Sequence, residues 1–176
     1  MARTVGTITC DGLEATGRFA SALARILAAG AVVLLDGELG AGKTTLTRMI
    51  AAAMGVAPAS VSSPTFTVMH QYESGRLPVT HIDAYRLSGD DDEELERLGW
   101  DAAVGDATVT RIEWAERSEE RLAGVDAARL RLSHAGETVR EIMVDLPASW
   151  KDRDGMSELA RSVTDGSPAA ARDEGP

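Results

Sequence analysis

Cysteine is nearly absent. Cys10 stands alone among 176 residues, so no internal disulfide can form and nothing points to an oxidising compartment. The three histidines, His70, His81 and His134, do not combine with Cys10 in zinc-site spacing. No long hydrophobic run is present either. The longest, Ala28 to Leu35, is broken by Gly30 and is far too short to span a bilayer. The opening MARTVGTITC carries no apolar core of a secretory signal. The expectation is a cytoplasmic protein with no membrane attachment. Lysine is scarce, with Lys43 and Lys151 the two in the chain, and positive charge is in deficit: 18 Lys and Arg face 28 Asp and Glu, a net charge of −10. The excess is concentrated. Asp90, Asp91, Asp92, Glu93, Glu94, Glu96, Asp101 and Asp106 are opposed across Gly89 to Asp106 by Arg97 alone. Acidic charge of this kind keeps a protein soluble, and it makes the chain a poor candidate for gripping a nucleic-acid backbone by itself.

What remains is enough for one compact domain, with 44% hydrophobic residues. Val5 to Cys10 reads as a short strand, and Asp11 can cap a helix in which Leu13, Phe19, Leu23, Ile26 and Leu27 recur at near-helical spacing up to Gly30. Ala31 to Asp36 is a continuous apolar run of the kind found in buried parallel strands. A helix over Thr44 to Met54, an acidic helix over Asp90 to Leu98, a strand over Ala107 to Ile112 and a short helix over Arg117 to Leu122 follow. Two β-hairpins are predicted, one joining Phe66–Tyr72 to Leu77–Ala84 and one joining Ala127–Leu132 to Thr138–Leu146. Helices alternating with strands, plus β-hairpins, imply an α/β fold with a mixed central sheet flanked by helices. Residues 1–150 form the predicted domain. From Lys151 to Pro176 the chain is rich in Gly, Ser, Pro, Ala and charge, and a disordered tail is expected there.

Gly37-Glu38-Leu39-Gly40-Ala41-Gly42-Lys43-Thr44 matches the phosphate-loop pattern G-x-x-x-x-G-K-[ST] in full, between a predicted buried strand and a predicted helix. Glycines let backbone N–H groups approach phosphates closely, and the helix that follows points its positive end at them. The predicted ligand is a purine nucleoside triphosphate with Mg²⁺, Lys43 reaching the β- and γ-phosphates and the Thr44 hydroxyl ligating the metal. Such a site needs a further metal anchor and a group that orients water. Carboxylates at strand ends are the natural candidates, which singles out Asp83, after Val79-Thr80-His81-Ile82, and Glu113, after Val109-Thr110-Arg111-Ile112. Each could equally be a solvated strand-end residue. His81 reads as a buried, hydrogen-bonded histidine rather than a catalytic one, and Trp114 as a core residue rather than a stacking platform.

Gly37 to Thr45, Ser63-Pro64-Thr65-Phe66, His81-Ile82-Asp83-Ala84-Tyr85-Arg86-Leu87, Leu98-Gly99 and Ile112-Glu113-Trp114 occur in that order. The sequence resembles the TsaE (YjeE) family of bacterial P-loop ATPases in tRNA threonylcarbamoyladenosine biosynthesis, over roughly Thr7 to Leu146. The resemblance implies a small P-loop NTPase fold that binds ATP and Mg²⁺. Glu38, Leu39, Gly40, Ala41 and Thr45 fall in its nucleotide-binding loop, Lys43 and Thr44 keep the roles above, and Thr65 belongs to a switch-like loop near the γ-phosphate. Asp83 and Glu113 match acidic residues near magnesium, Glu113 in the Walker-B-like position, and Tyr85 and Arg86 match a segment tied to activity and partner contact. The base is implied near the Asp11–Leu13 loop. Family members often read IEWPE where this chain has Glu113-Trp114-Ala115-Glu116, a change that removes no functional group. The implied partners are a TsaD-type transferase subunit and its TsaB-type paralogue, which ATP hydrolysis would reset between turnovers, with tRNA met only through that complex. Two other classes compete: a P-loop small-molecule kinase, against which the acidic rather than Arg-rich segment Gly89 to Asp106 counts, and a non-enzymatic nucleotide switch.

Overall fold

The apolar run ahead of the glycine-rich loop becomes the middle of a sheet. The computed structural model describes residues 2–64, 66–87, 92–105 and 107–165. Within them β2 (Val32–Asp36) is buried at every position and lies parallel to β5 (Val109–Glu113) on one side and β6 (Ala127–His134) on the other. β4 (Val79–Asp83) pairs parallel to β5. β2 is covered on both faces and carries apolar side chains on both, which is why it reads as a run rather than an alternation. β1 (Ala2–Asp11), β7 (Val139–Pro147) and β3 (Met69–Tyr72) add antiparallel pairs, giving a seven-stranded mixed sheet in the order β1-β7-β6-β2-β5-β4-β3. Both predicted hairpins are present, as β3–β4 and β6–β7.

Helices α1 (Gly12–Ile26) and α2 (Lys43–Ala53) cover one face. Phe19, Leu23, Leu46 and Ile50 pack there against Val33, Leu35 and Val79. Helices α3 (Asp92–Arg97) and α4 (Trp100–Ala103) cover the other, where Leu95 and Trp100 meet Leu34, Ile82 and Ile112. The alternation of β2 divides its own residues between the two clusters. The carbonyls at the end of α1 are capped by two arginines from distant segments, Arg76 onto Ala24 and Leu27 and Arg153 onto Ile26. Among the described residues no helix is long and apolar enough to cross a membrane.

Two expectations need correction. The short helix over Arg117 to Leu122 is instead a 3-10 turn over Ala115–Ser118, which the chain enters from β5 through Trp114 in the left-handed region. More consequentially, the disordered tail from Lys151 gives way over 151–165. Trp150 is buried, Arg153 lies 3.9 Å over its ring, and the chain goes on to α5 (Met156–Asp165). Leu159 is fully buried in the main core, with Met156 packed against it, and Glu158 pairs with Arg25 of α1 at 2.6 Å. One large leucine and one methionine suffice because α5 docks on an apolar face that α1 and β1 already present. Residues 166–176 lie outside the described residues.

Candidate nucleotide site

The C-terminal ends of β2, β4 and β5 converge on a cleft of about 410 Å³, lined by Gly40, Gly42, Lys43, Thr44, Asp83, Glu113 and their neighbours. The loop that forms its floor needs glycine for two separate reasons. A Cβ on Gly37 would collide with the Leu132 carbonyl oxygen of β6, a contact no side chain tolerates. Gly42, with φ of 105°, turns the chain into α2 through the left-handed region. The first-turn N–H groups of α2 have no intrahelical acceptor and face the cleft end of the helix, which makes this an anion-binding terminus.

Lys43 is buried although charged. Its ammonium donates to the carbonyls of Gly37 (2.5 Å) and Glu38 (2.9 Å) and lies 3.6 Å from the centre of the Trp114 ring. Burial pulls its pKa below the ordinary lysine value, opposed by the carboxylates of Glu113, Glu116, Asp83 and Asp36. The Thr44 hydroxyl donates to Glu113 Oε2 at 2.8 Å. Glu113 Oε1 lies 2.8 Å from His81 Nε2. Asp83 is the register partner of Glu113 on the adjacent strand. Its Oδ2 accepts from the Ser63 hydroxyl (3.1 Å) and its Oδ1 from the Tyr85 amide (3.0 Å). Sequence-distant Lys43, Thr44, Asp83 and Glu113 therefore share one corner, as expected. A hydroxyl and carboxylates are hard-oxygen donors suited to Mg²⁺, so the residues present fit that ion. Among the described residues no three His, Cys, Asp or Glu side chains cluster as a metal cage, so further ligands would have to come from phosphates and water, as Mg²⁺ prefers.

Other predicted residues fall differently. Thr65 lies outside the described residues. Leu39 is 81% exposed at the cleft rim. The Asp11–Leu13 loop is tied to the β6–β7 hairpin, Gly12 N–H donating to Thr138 O at 3.2 Å, and does not line the cleft. Tyr85 packs against Trp114 with its ring tilted by 50° and the ring centres 5.0 Å apart, and Arg117 lies over both rings at 5.2 and 5.9 Å. Trp114 is thus half-buried at the cleft wall rather than deep in the core, held in the left-handed region at φ 58°.

Several neighbours carry no motif. Asp36, at the end of β2, pairs with Arg129 at 3.0 Å and accepts the Glu116 amide at 3.2 Å. The Glu116 carboxyl is pushed up by burial and by its hydrogen bond to Asp36. Arg111 is wholly buried on β5; burial lowers its guanidinium to about 10, with Tyr72 and Glu113 opposing, so it stays a cation at neutral pH. The strand alternation that puts Val109, Arg111 and Glu113 on one face was the available signal for Arg111.

A central parallel strand, a glycine-rich turn, a helix headed by Lys43 and Thr44, and a carboxylate on the neighbouring strand against that threonine together define a small α/β P-loop NTPase fold. Residues 10–142 match the model of the family described as threonylcarbamoyl adenosine biosynthesis protein TsaE, and the chain belongs to the TsaE family. It is 46% identical over 123 residues to the tRNA threonylcarbamoyladenosine biosynthesis protein TsaE of Streptomyces coelicolor, covering 68% of this chain and 80% of that one. The protein of the same name in Bacillus subtilis is 38% identical over 136 residues, 77% of this chain and 80% of that one. The crystal structure of Bacillus subtilis YdiB superposes with a TM-score of 0.67 at 30% identity, covering 92% of this chain and 97% of that one.

Proposed function

We propose that this protein is a cytoplasmic ATPase of tRNA threonylcarbamoyladenosine formation, hydrolysing Mg²⁺-bound ATP to ADP and phosphate to drive or reset a TsaB–TsaD-type transferase pair. One observation carries the ATPase reading: Thr44, next to the phosphate-loop Lys43, donates to Glu113 at 2.8 Å, with Asp83 in register beside it. In this reading the loop amides and Lys43 hold the β- and γ-phosphates and offset the charge that develops there. Thr44 and Glu113, with Asp83, hold the metal, which neutralises phosphate charge when bound. Asp83, whose oxygens are anchored by Ser63 and the Tyr85 amide, would also orient the attacking water, a role the family resemblance extends to Thr65. The Tyr85–Trp114–Arg117 stack forms the rim beside this corner. Tyrosine, tryptophan and arginine are the side chains that most often anchor partners, which supports partner dependence.

Phosphate release measured on the chain alone, with tRNA, and with a TsaB–TsaD pair tests the reading, with Lys43→Ala as control. The expected result is slow release alone, stimulation by the pair and not by tRNA, and loss in the control. Fast phosphorylation of a small molecule without partners would establish the kinase alternative. Nucleotide-dependent partner binding with no release at all would establish a non-enzymatic switch.

A further inference from the structure

Glu113 is held at both carboxylate oxygens, Oε2 by the Thr44 hydroxyl and Oε1 by His81, each at 2.8 Å. His81 and Glu113 are 0% and 2% exposed, so neither bond is shared with bulk solvent. The parallel pairing of β4 and β5 sets His81 opposite Arg111 and Asp83 opposite Glu113. All four residues therefore lie on one face of the sheet, and His81 reaches diagonally to the carboxylate two residues ahead on the neighbouring strand.

A terminal carboxylate torsion is broad. With Thr44 as sole anchor, the Glu113 carboxylate could turn. A second bond on the other oxygen removes that freedom. An ionised carboxylate only accepts, so the bond requires the proton on His81 Nε2. The other ring nitrogen, Nδ1, is buried with no hydrogen-bond partner among the described residues. A buried polar atom left in that condition costs stability that an apolar side chain would not. Packing alone thus gives no reason for histidine here, whereas its bond to Glu113 does.

We propose that His81 is a positioning residue, its Nε2–H pinning Glu113 Oε1 so that Oε2 stays aimed at Thr44 and the metal-binding corner. The inference rests on the ATPase reading. It is tested with His81→Gln, whose amide N–H can occupy the Nε2 position, and His81→Leu, which fills the space without a donor. Turnover in the presence of the TsaB–TsaD pair, nucleotide affinity and melting temperature are measured for each. His81→Leu should lower kcat by about 10–100-fold, the usual cost of removing a partner that orients a metal ligand, with nucleotide affinity nearly unchanged and a melting temperature no lower than that of His81→Gln. His81→Gln should recover most of the turnover. In a Glu113→Ala background His81→Leu should have no further effect on kcat, because the histidine acts through that carboxylate. If His81→Leu does not fold, His81→Asn replaces it, since its amide falls short of the Nε2 position. Wild-type turnover in the donorless variant, activity that follows melting temperature, or additive effects in the double variant would overturn the proposal. Absence of hydrolysis by the unsubstituted protein with the same pair strikes the ATPase reading itself, and this inference falls with it.

Discussion

At the scale of single residues, the proposed ATPase reading divides the cleft's side chains into groups that would hold nucleotide and groups that would act on the transition state. Glu113→Ala should lower turnover by about 100-fold or more while nucleotide affinity changes only a few-fold, because a group that places metal or water is used most fully in the transition state. Asp83→Ala should weaken the magnesium dependence of the same reaction. Titrating Mg²⁺ against phosphate release separates the two, and normal turnover by both variants would remove these roles. A pH effect comes from Glu116. Its carboxyl is raised above the ordinary value of 4.5 by burial and the bond to Asp36, so the folded protein holds that proton more tightly than the unfolded chain. The stability it confers is fully present below pH 4.5 and is lost as pH rises through the raised value. Glu116→Gln mimics the protonated form. Melting temperature against pH should therefore favour the variant increasingly above about pH 4.5, and parallel curves would refute the assignment. Lys43 and Thr44 were legible in the sequence because the phosphate-loop pattern fixes their spacing, whereas Asp83 and Glu113 are candidates by their strand-end positions and take their roles only from the family resemblance. Asp36 and Glu116 were not legible, because their environment is made by tertiary contacts that no local pattern records, and for Arg111 the strand alternation signalled a face but not its full burial.

At the scale of elements, the sheet was legible because its central strand β2 is apolar on both faces and its hairpins are short. Helix α5 was not. Its sequence, Met156 to Asp165, is mostly polar, and Met156 and Leu159 find a core to enter only once α1 and β1 are packed together. Leu159 at 0% exposure, Met156 beside it and the Glu158–Arg25 pair fasten α5 to α1 and β1. The ion pair is exposed at both ends, with side-chain accessibilities of 64% and 45%, so it adds little, and the leucine should dominate. Leu159→Ala is expected to cost about 2–4 kcal/mol of stability, within the usual range for buried leucine truncation. Glu158→Ala should cost no more than about 0.5 kcal/mol. Denaturant unfolding of the two variants measures the difference. If Leu159→Ala were neutral, residues 156–165 would contribute nothing to the fold, and the boundary near residue 150 would be restored. We propose instead that the folded unit extends to about residue 165.

At the scale of the whole molecule, charge decides what the chain can meet unaided. The net charge of −10 is not offset by a basic stripe around the cleft. Arg129 is engaged by Asp36 and Glu119, Arg131 by Asp145, and Arg76 and Arg153 cap α1. Arg117 lies over Tyr85 and Trp114, and Arg111 is buried. Glu93, Glu96 and Asp101 are exposed. Binding to a phosphate backbone draws its strength from counterions released by free Lys and Arg, and the arginines just named are either buried or committed to the protein's own carboxylates, carbonyls or rings. The isolated chain should therefore retain no tRNA in filter binding even at about 50 mM salt, where non-specific affinity is strongest. With a TsaB–TsaD pair, tRNA retention should appear with a salt dependence equal to that of the pair alone, since this subunit adds no phosphate contacts. A steeper salt dependence on adding this chain, or tRNA retained by the chain alone, would show that an arginine assigned here to the fold is released to nucleic acid on assembly. A set of charge reversals at Arg86, Arg97 and Arg117 would then identify which one.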